Sequence, residues 1–401
     1  MSATPNRIVV LDGLRGFCLV FMMLSHLEFS GFYFIKTLHF GELGFVQSAQ
    51  GFIFLSGLLV GLIFMKRHER AGGAQVRRRL WGRALELYGW HIGILLGILA
   101  LARLMPDSWF VWNRWLGRLY DGGDAYVAAA AALLYQPSYM DILPQYMAYL
   151  LISPLLIHLI ATGRVAWVMA GSAACWLAVQ FGAHLPLVAL LDGMWLGGAT
   201  LQPRAAFNPL AWQVIFVAGL VAGALAARGQ LQPRRLLDPQ RPMLFHVALG
   251  GLVFFLAWRM AITTGLIGPE ILERFQAYEN RVEFGLVFLL NFAALGYAVA
   301  WLLVAGRRST RPVQRLGGAL LDHLLSQPFL VLIGGYSLQV FAWHVVVVYL
   351  LRLVDWHMGP LAEPLNSLLA MAAIASLALP ARWLASRAQT RLADAPQPSR
   401  S

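Results

Sequence analysis

Charged residues are scarce in this sequence, and cysteines are almost absent. Only 12% of the 401 residues are Asp, Glu, Lys or Arg, against about 25% in an ordinary soluble domain. Hydrophobic residues make up 59% of the chain, and the mean hydropathy is +0.64. This composition argues against a soluble protein and favours a polytopic protein embedded in a lipid bilayer. The two cysteines, Cys18 and Cys175, both lie in apolar segments, so we expect neither a disulfide nor a metal site with cysteine ligands.

Motifs of energy coupling and of common hydrolytic sites are also missing. The sequence contains no nucleotide-binding loop ending in Lys-Ser or Lys-Thr, no HExxH helix and no GxSxG turn. ATP-driven transport is therefore unsupported, and we predict no metal site. The formal net charge of +12 could suit nucleic acid binding. The basic residues sit between apolar runs rather than on a soluble module, however, so we expect no nucleic acid partner.

The apolar runs predict an all-α, polytopic membrane protein with about ten transmembrane helices around an internal cavity or tunnel. We predict one transmembrane domain over residues 1–386 and a short, disordered cytoplasmic tail over 387–401. A shorter apolar piece, 125–135, suits an interfacial or re-entrant segment. The predicted spans are 8–34, 43–65, 85–104, 145–162, 165–181, 209–227, 244–266, 284–305, 329–354 and 365–384.

Basic residues are concentrated in alternate connections between these spans. The connection 66–83 holds the densest group, and 306–315 and the C-terminal tail are also basic. Cytoplasmic loops of membrane proteins carry an excess of Lys and Arg. The pattern therefore predicts that both termini are cytoplasmic.

The first span carries three ionisable side chains, Asp12, Arg15 and His26. Eleven residues separate Arg15 from His26, which places them within about 20° of one helix face and roughly 16 Å apart along the axis. Charges in hydrocarbon are costly, so this face should look into the protein or a wet cavity. An imidazole there can act as a general base. The alternative is a histidine that is hydrogen-bonded within the helix bundle and has no chemical role.

The second span and the basic connection after it form a second candidate site. Small residues such as Ser56 and Gly57 suit either close helix packing or ligand contact. Arginine clusters bind phosphate oxygens, although they also serve as topology signals. The basic residues of this candidate phosphate site are Lys66, Arg67, Arg77, Arg78, Arg79 and Arg83.

Two further residues are candidates for positioning groups. Asp141 lies between Pro137 and Pro144 and is expected near the outer face, where it could orient His26 or hold a sugar hydroxyl. The alternative is an ordinary surface or capping aspartate. His344 lies in a late apolar span after Gly334 and Gly335, which should start or loosen that helix. A lone intramembrane histidine can equally be a satisfied core residue.

Five stretches in order resemble the successive blocks of the OpgC family, and more distantly those of the wider membrane acyltransferase family three. They are LDGLRGFCLVFMMLSH, GFIFLSGLLVG followed by RRRLWGRALELYGWH, YQPSYMDILPQYMAYLLISP, FNPLAWQVIFVAG and GGYSLQVFAWHVVVVY. The resemblance covers most of the chain, from about residue 11 to residue 349. It implies a bacterial inner-membrane protein that transfers an acyl group from cytoplasmic acyl-coenzyme A to hydroxyls of periplasmic glucan.

The resemblance also implies roles for the candidate residues. Acyl-coenzyme A, with succinyl the expected acyl group and acetyl the alternative, would be a donor substrate rather than a permanently bound cofactor. His26 would be the base, Arg15 would hold the donor or stabilise the oxyanion, and Asp12 would position Arg15. Asp141 or His344 would orient His26 or the acceptor, and the basic cluster would bind coenzyme A. The competing hypothesis is a transporter or flippase for glucan or a sugar precursor, since intramembrane charges and broken helices also suit transporters.

Overall fold

The computed structural model describes residues 9–38, 44–105, 107–117, 119, 123–196, 207–233 and 237–393. Within those ranges the regular structure is helical, without strands. Eight of the described helices are long and apolar enough to cross a membrane, or up to ten if two bent helix pairs each count as one span. An all-α, polytopic architecture is thereby confirmed. It follows from the composition, because a helix satisfies its own backbone hydrogen bonds in a medium without water.

The helices α1–α16 and two 3₁₀ turns follow each other along the chain. In the amino-terminal half they are α1 Val9–His26, a 3₁₀ turn Phe34–Leu38, α2 Ser48–Leu104, α3 Ser108–Leu116, α4 Asp124–Ala131, α5 Ile142–Ala161, α6 Val165–Gln180 and α7 Leu185–Leu196. Then come α8 Pro209–Ala227, α9 Met243–Thr263, α10 Pro269–Phe275, α11 Leu286–Val304, a 3₁₀ turn Gly306–Arg308, α12 Pro312–Leu325, α13 Pro328–Gly335, α14 Ser337–Met358, α15 Glu363–Ser376 and α16 Ala378–Ala393.

The chain forms two compact units. The first combines the amino-terminal segment Met1–Leu38 with Asp322–Ser401, and the second is His39–Leu321. The single domain over 1–386 remains a prediction. Helix α16 extends to Ala393, into the stretch predicted as a disordered tail, and residues 394–401 lie outside the described residues.

In the second unit, the prediction of a loop over 66–83 is wrong. Helix α2 runs through this stretch as one segment of 57 residues, interrupted only where Gly72 adopts φ 76° and ψ 170°. A straight helix of that length would measure roughly 86 Å, far more than the ~30 Å hydrocarbon core. Glycine tolerates a positive φ without steric cost. The bend at Gly72 therefore converts one long helix into two arms, each of spanning length.

Glycines at matching positions let α2 and α8 approach backbone to backbone. A Cβ atom added at Gly57 would overlap the carbonyl oxygen of Phe216, and one at Gly61 would overlap that of Leu220. In return, a Cβ at Gly219 would overlap the carbonyl oxygen of Phe54. Close packing of small residues drives helix association in lipid, where apolar burial gives no driving force. The structure thus supports the packing interpretation of Gly57, and a ligand role for it stays a prediction.

Some predicted boundaries change in the first unit. Helix α1 ends at His26 rather than near residue 34. The predicted span 329–354 is two helices, α13 and α14, divided at Tyr336, directly after the Gly334–Gly335 pair that predicted a loosened helix. The short helices α3, α7, α10 and α12 were missed because apolar runs of spanning length cannot reveal them.

We expect Gly57→Ala to destabilise the protein by about 1–3 kcal/mol, because the added methyl group must push α2 and α8 apart. Gly93 lies on the same helix, and a Cβ there would meet nothing within 4 Å. Gly93→Ala is therefore the matched control, with a neutral or slightly stabilising effect. Thermal unfolding of the purified full chain in detergent measures both, and equal midpoints for the two variants would contradict the packing interpretation.

Candidate active site

Three glycines of the first unit bring α1 against Leu325, the last residue of α12, and against α13. A Cβ atom at Gly13 would overlap the carbonyl oxygen of Leu325, and one at Gly16 would overlap that of Leu330. From the other side, a Cβ at Gly334 would overlap the carbonyl oxygen of Asp12. No side chain other than hydrogen fits at these contacts. The backbone of α1 is therefore fixed directly beside the break between α13 and α14.

Arg15 reaches this break from α1. Its Nη2 donates a hydrogen bond to the Oγ of Ser337, the first residue of α14. The Ser337 side chain is buried and the Arg15 side chain is half-buried. The guanidinium is thus directed toward the protein, as the position of Arg15 on the helix predicted.

His26, the last residue of α1, makes the second polar contact with α14. Its Nδ1 lies 2.9 Å from the Nε2 of His344, and the two ring centroids are 5.2 Å apart. His344 is completely buried, whereas His26 is half-buried. The Nδ1 of His344 lies 2.6 Å from the backbone oxygen of Phe341.

When both rings are neutral, this chain of contacts determines their tautomers. A carbonyl oxygen only accepts, so the Nδ1 of His344 must carry the hydrogen and its Nε2 must be an acceptor. The Nδ1 of His26 then donates to that Nε2, and the Nε2 of His26 carries a lone pair. The structure therefore orients a basic nitrogen on the more accessible of the two rings, with the buried ring behind it.

The two contacts lie on matching faces of α1 and α14. Arg15 and His26 are eleven residues apart, about three turns, and Ser337 and His344 are seven apart, about two turns. Arg15 precedes His26 on α1, and their partners Ser337 and His344 follow in the same order on α14, so the two helices run parallel here. The long Arg15 side chain covers the difference in axial spacing. The polar stripe predicted on α1 is confirmed to lie against protein, while an internal conduit along it remains a prediction.

A buried aspartate that sequence analysis missed holds the chain directly after His26. Asp355, near the end of α14, accepts hydrogen bonds from the Ser30 backbone N–H at 3.0 Å and from the Ser30 Oγ at 2.7 Å. It also pairs with Arg352 at 2.9 Å, and the Arg352 guanidinium donates to the backbone oxygen of Glu28. An Arg and an Asp three residues apart in an apolar helix were the available signal. The pair fixes the exit of α1 and thereby the position of His26.

Tyr33 closes the same turn. Its hydroxyl donates to the backbone oxygen of Leu27 at 2.6 Å. Burial, with a smaller contribution from the charge of Glu28, raises the pKa of Tyr33 to about 12. The phenol therefore stays a donor at neutral pH, and its stabilising effect declines only as the pH rises from about 10 toward 12.

The remaining predicted residues divide between the two units. Asp12 is buried in the first unit. Asp141 is buried in the second, directly before α5, where its side chain makes no capping hydrogen bond. It lies close enough to Arg281 to interact with its charge. This geometry does not fit a surface or capping aspartate.

The predicted phosphate-binding residues lie on helix α2 rather than in a loop. Arg77, Arg78 and Arg79 are exposed, and Arg83 forms an ion pair with Glu86 at 2.6 Å. Lys66 is exposed on the other arm, before Gly72. The neighbouring Arg67 lies over the Phe64 ring. The Ser56 hydroxyl is buried and makes no hydrogen bond to the described residues.

Comparison with protein families gives a match to this chain. Residues 7–389 match the model of the protein family described as OpgC protein, so the match covers nearly the whole chain. No curated protein and no solved structure matches the chain. Every residue of the His26–His344 and Arg15–Ser337 contacts falls inside the matched range.

We expect Asp355→Asn to speed hydrogen exchange of the Ser30 backbone N–H at least about tenfold. The asparagine side chain has one acceptor oxygen where the carboxylate has two, and it carries no charge to pair with Arg352. Glu363 provides the control, since it accepts from the exposed Phe34 backbone N–H at 3.0 Å in the same unit. Glu363→Gln should leave Ser30 unchanged. Exchange mass spectrometry of the segment 27–33, which excludes the Phe34 amide that Glu363 contacts, compares the two variants in lipid nanodiscs. Unaltered protection in the Asp355 variant would contradict the conclusion that Asp355 fixes this turn.

Proposed function

Because this chain belongs to the OpgC protein family, we propose that it is a membrane O-acyltransferase that moves a succinyl group from cytoplasmic acyl-coenzyme A to hydroxyls of periplasmic glucan. Family membership points to acyl transfer within a membrane, in glucan synthesis. The donor, the acyl group, the direction of transfer, the inner-membrane location and the cytoplasmic termini belong to the proposal. The basic connections support that orientation.

The observation that carries the proposal is the pair of hydrogen-bonded imidazoles. A sugar hydroxyl is a poor nucleophile until its proton is removed, and a correctly oriented imidazole is the commonest general base for that task. The Nε2 of His26 has the required lone pair because the contacts of His344 with His26 and Phe341 fix both tautomers. His344 acts as a positioning residue, as carboxylates or carbonyls do behind other catalytic histidines.

The proposed reaction balances without any further reagent. His26 Nε2 takes the proton of the sugar hydroxyl while the hydroxyl oxygen attacks the thioester carbonyl carbon. The tetrahedral intermediate then collapses, its carbon–sulfur bond breaks, and the proton passes from His26 to the departing thiolate. The products are an ester on the glucan and free coenzyme A.

Arg15 is proposed to hold the donor or to stabilise the negative charge that develops on the carbonyl oxygen. Its hydrogen bond with Ser337 fixes the guanidinium on the same side of α1 as His26. Asp12, buried one turn earlier, would position Arg15. A relay through a covalent acyl-histidine at His26 is the variant mechanism, and accumulation of acylated protein when acceptor is omitted would identify it.

The exposed arginines of α2 are proposed to bind the phosphates of coenzyme A. Guanidinium groups bind phosphate oxygens through paired hydrogen bonds. Ser56, whose buried hydroxyl lacks a partner among described residues, is proposed to contact the donor. Asp141 is proposed to hold the acceptor, since a buried carboxylate beside a guanidinium suits recognition of sugar hydroxyls.

We expect His26→Gln to lower kcat/KM for succinyl transfer by about 10²–10⁴-fold, the contribution of a general base. His344→Gln should cost about 10–100-fold, the effect of losing a positioning partner. The assay uses the full chain in vesicles with succinyl-coenzyme A and a soluble β-glucan. His357, exposed on the same helix as His344, gives the control His357→Gln, which should retain normal turnover. Normal turnover by a folded His26 variant would refute its role.

Neutralising the α2 arginines separates donor binding from chemistry. Replacing Arg77, Arg78 and Arg79 together with Gln should raise KM for succinyl-coenzyme A at least about tenfold and change kcat little. The double variant Arg382→Gln/Arg387→Gln on α16 controls for lost surface charge. Unchanged KM would contradict the donor site, and glucan transport without any acyl donor would favour the transporter hypothesis instead.

A further inference from the structure

An open apolar groove lies along the second unit, between α9 and α11. Its volume is about 640 Å³, and its lining includes Leu244, Val247, Gly250, Phe254, Leu290 and Tyr297. Val247 is 60% exposed and Phe254 is 59% exposed. Gly250 and Gly251 have no side chain beyond hydrogen, and this helps to form the depression. A Cβ at Gly250 would meet nothing within 4 Å.

The two helices that form the groove are antiparallel. Phe245 stacks on Trp301 at 4.3 Å between ring centroids. Further along, Gly251 lies opposite Ala294. The start of α9 therefore lies beside the end of α11, and the groove has one end at Leu244 and Tyr297.

The length of the groove matches one leaflet of a bilayer. From Leu244 to Phe254 the helix rises by ten residues, which is roughly 15 Å. The hydrocarbon core of a bilayer is about 30 Å thick. A depression of this length that begins at the start of a membrane-spanning helix reaches about the midplane of the bilayer, which is the depth of a single acyl chain.

The end of the groove at Leu244 and Tyr297 is strongly basic. Residues 286–321 include Arg307, Arg308, Arg311 and Arg315 and contain no acidic residue, and the connection before α9 adds Arg241 and one acid, Asp238. The side chains of the four arginines in 286–321 are exposed. One Nη of Arg311 lies 2.9 Å from the Nε2 of His246, in the first turn of α9. That contact places the guanidinium directly at the entrance beside Leu244.

Tight packing fixes this basic end against the end of α11. A Cβ at Gly318 of α12 would lie 2.7 Å from the backbone oxygen of Leu302, near the end of α11. Helix α12 also presents Val313, Leu316 and Leu320 as exposed apolar side chains. An amphipathic helix beside arginines is typical of the interface between lipid headgroups and acyl chains.

We propose that this groove binds an anionic phospholipid, with one acyl chain along α9 and α11 and its phosphate against Arg308 and Arg311. Basic pockets between transmembrane helices bind anionic headgroups in this way. A second copy of the chain fits less well, because a symmetric contact through this face would bring four arginines against four. The site is independent of the proposed acyl transfer.

The test uses native mass spectrometry of the full chain in neutral detergent, titrated with phosphatidylglycerol or phosphatidylcholine of matched acyl chains. We expect one phosphatidylglycerol bound per chain and much weaker binding of phosphatidylcholine. The Arg308→Gln/Arg311→Gln variant should lose about 30-fold in affinity for phosphatidylglycerol. Gly250→Leu, which fills the groove without a backbone clash, should weaken both lipids. The Arg382→Gln/Arg387→Gln variant should bind phosphatidylglycerol normally.

Three outcomes would overturn the proposal. Equal affinity of the native protein for the two lipids would show that the arginines do not select the headgroup. Unchanged lipid binding in the Gly250→Leu variant would show that the lipid does not bind in the groove. A dimer in the native protein that Gly250→Leu abolishes would show that a second copy, rather than a lipid, occupies this surface. Circular dichroism of each variant verifies that it is folded, and transfer activity plays no part in the measurement.

Discussion

The hydrogen bond between His26 and His344 is the contact that gives the first unit its chemical character. Two imidazoles 2.9 Å apart can share one hydrogen only if their tautomers agree, and the Phe341 carbonyl beyond His344 enforces that agreement. The bond joins residues 318 positions apart in sequence. Its geometry depends on glycines that place backbone against backbone and on Asp355, which fixes the turn after His26. Glycine packing and the hydrogen bonds of Asp355 together fix the orientation of the His26 ring at the end of α1.

Both units use the same solution to helix association in lipid. Gly13, Gly16 and Gly334 in the first unit and the glycines of α2 and α8 in the second remove side chains wherever two backbones meet. In water, apolar burial would hold such helices together; in a bilayer, close van der Waals contact must do so. Side chains beside such contacts have little conformational freedom, because the two backbones are fixed. Arg15 and Ser337 form their hydrogen bond at such a place, beside the break between α13 and α14.

Composition and hydropathy predicted the helical membrane class, most spans and the polar face of α1, because these properties are local and periodic. Gly334 and Gly335 likewise predicted a break that lies at Tyr336. The two helical arms that meet at Gly72 within 66–83 were not predictable, since a run of basic residues suits a loop and a helix equally well. The pairing of His26 with His344, and the clamp by Asp355, depend on long-range packing that one sequence does not encode in any local pattern.

The sequence distance between the partners has a consequence for biosynthesis. A ribosome adds roughly 5–20 residues per second, so the 318 positions between His26 and His344 correspond to about 15–60 s of translation. During that interval α1 has already been made, with its arginine and histidine, while α14 does not yet exist. Arg15 and His26 of the nascent first helix therefore form their contacts with Ser337 and His344 only when the last quarter of the chain emerges. Assembly of the first unit is therefore a late event in the synthesis of the chain.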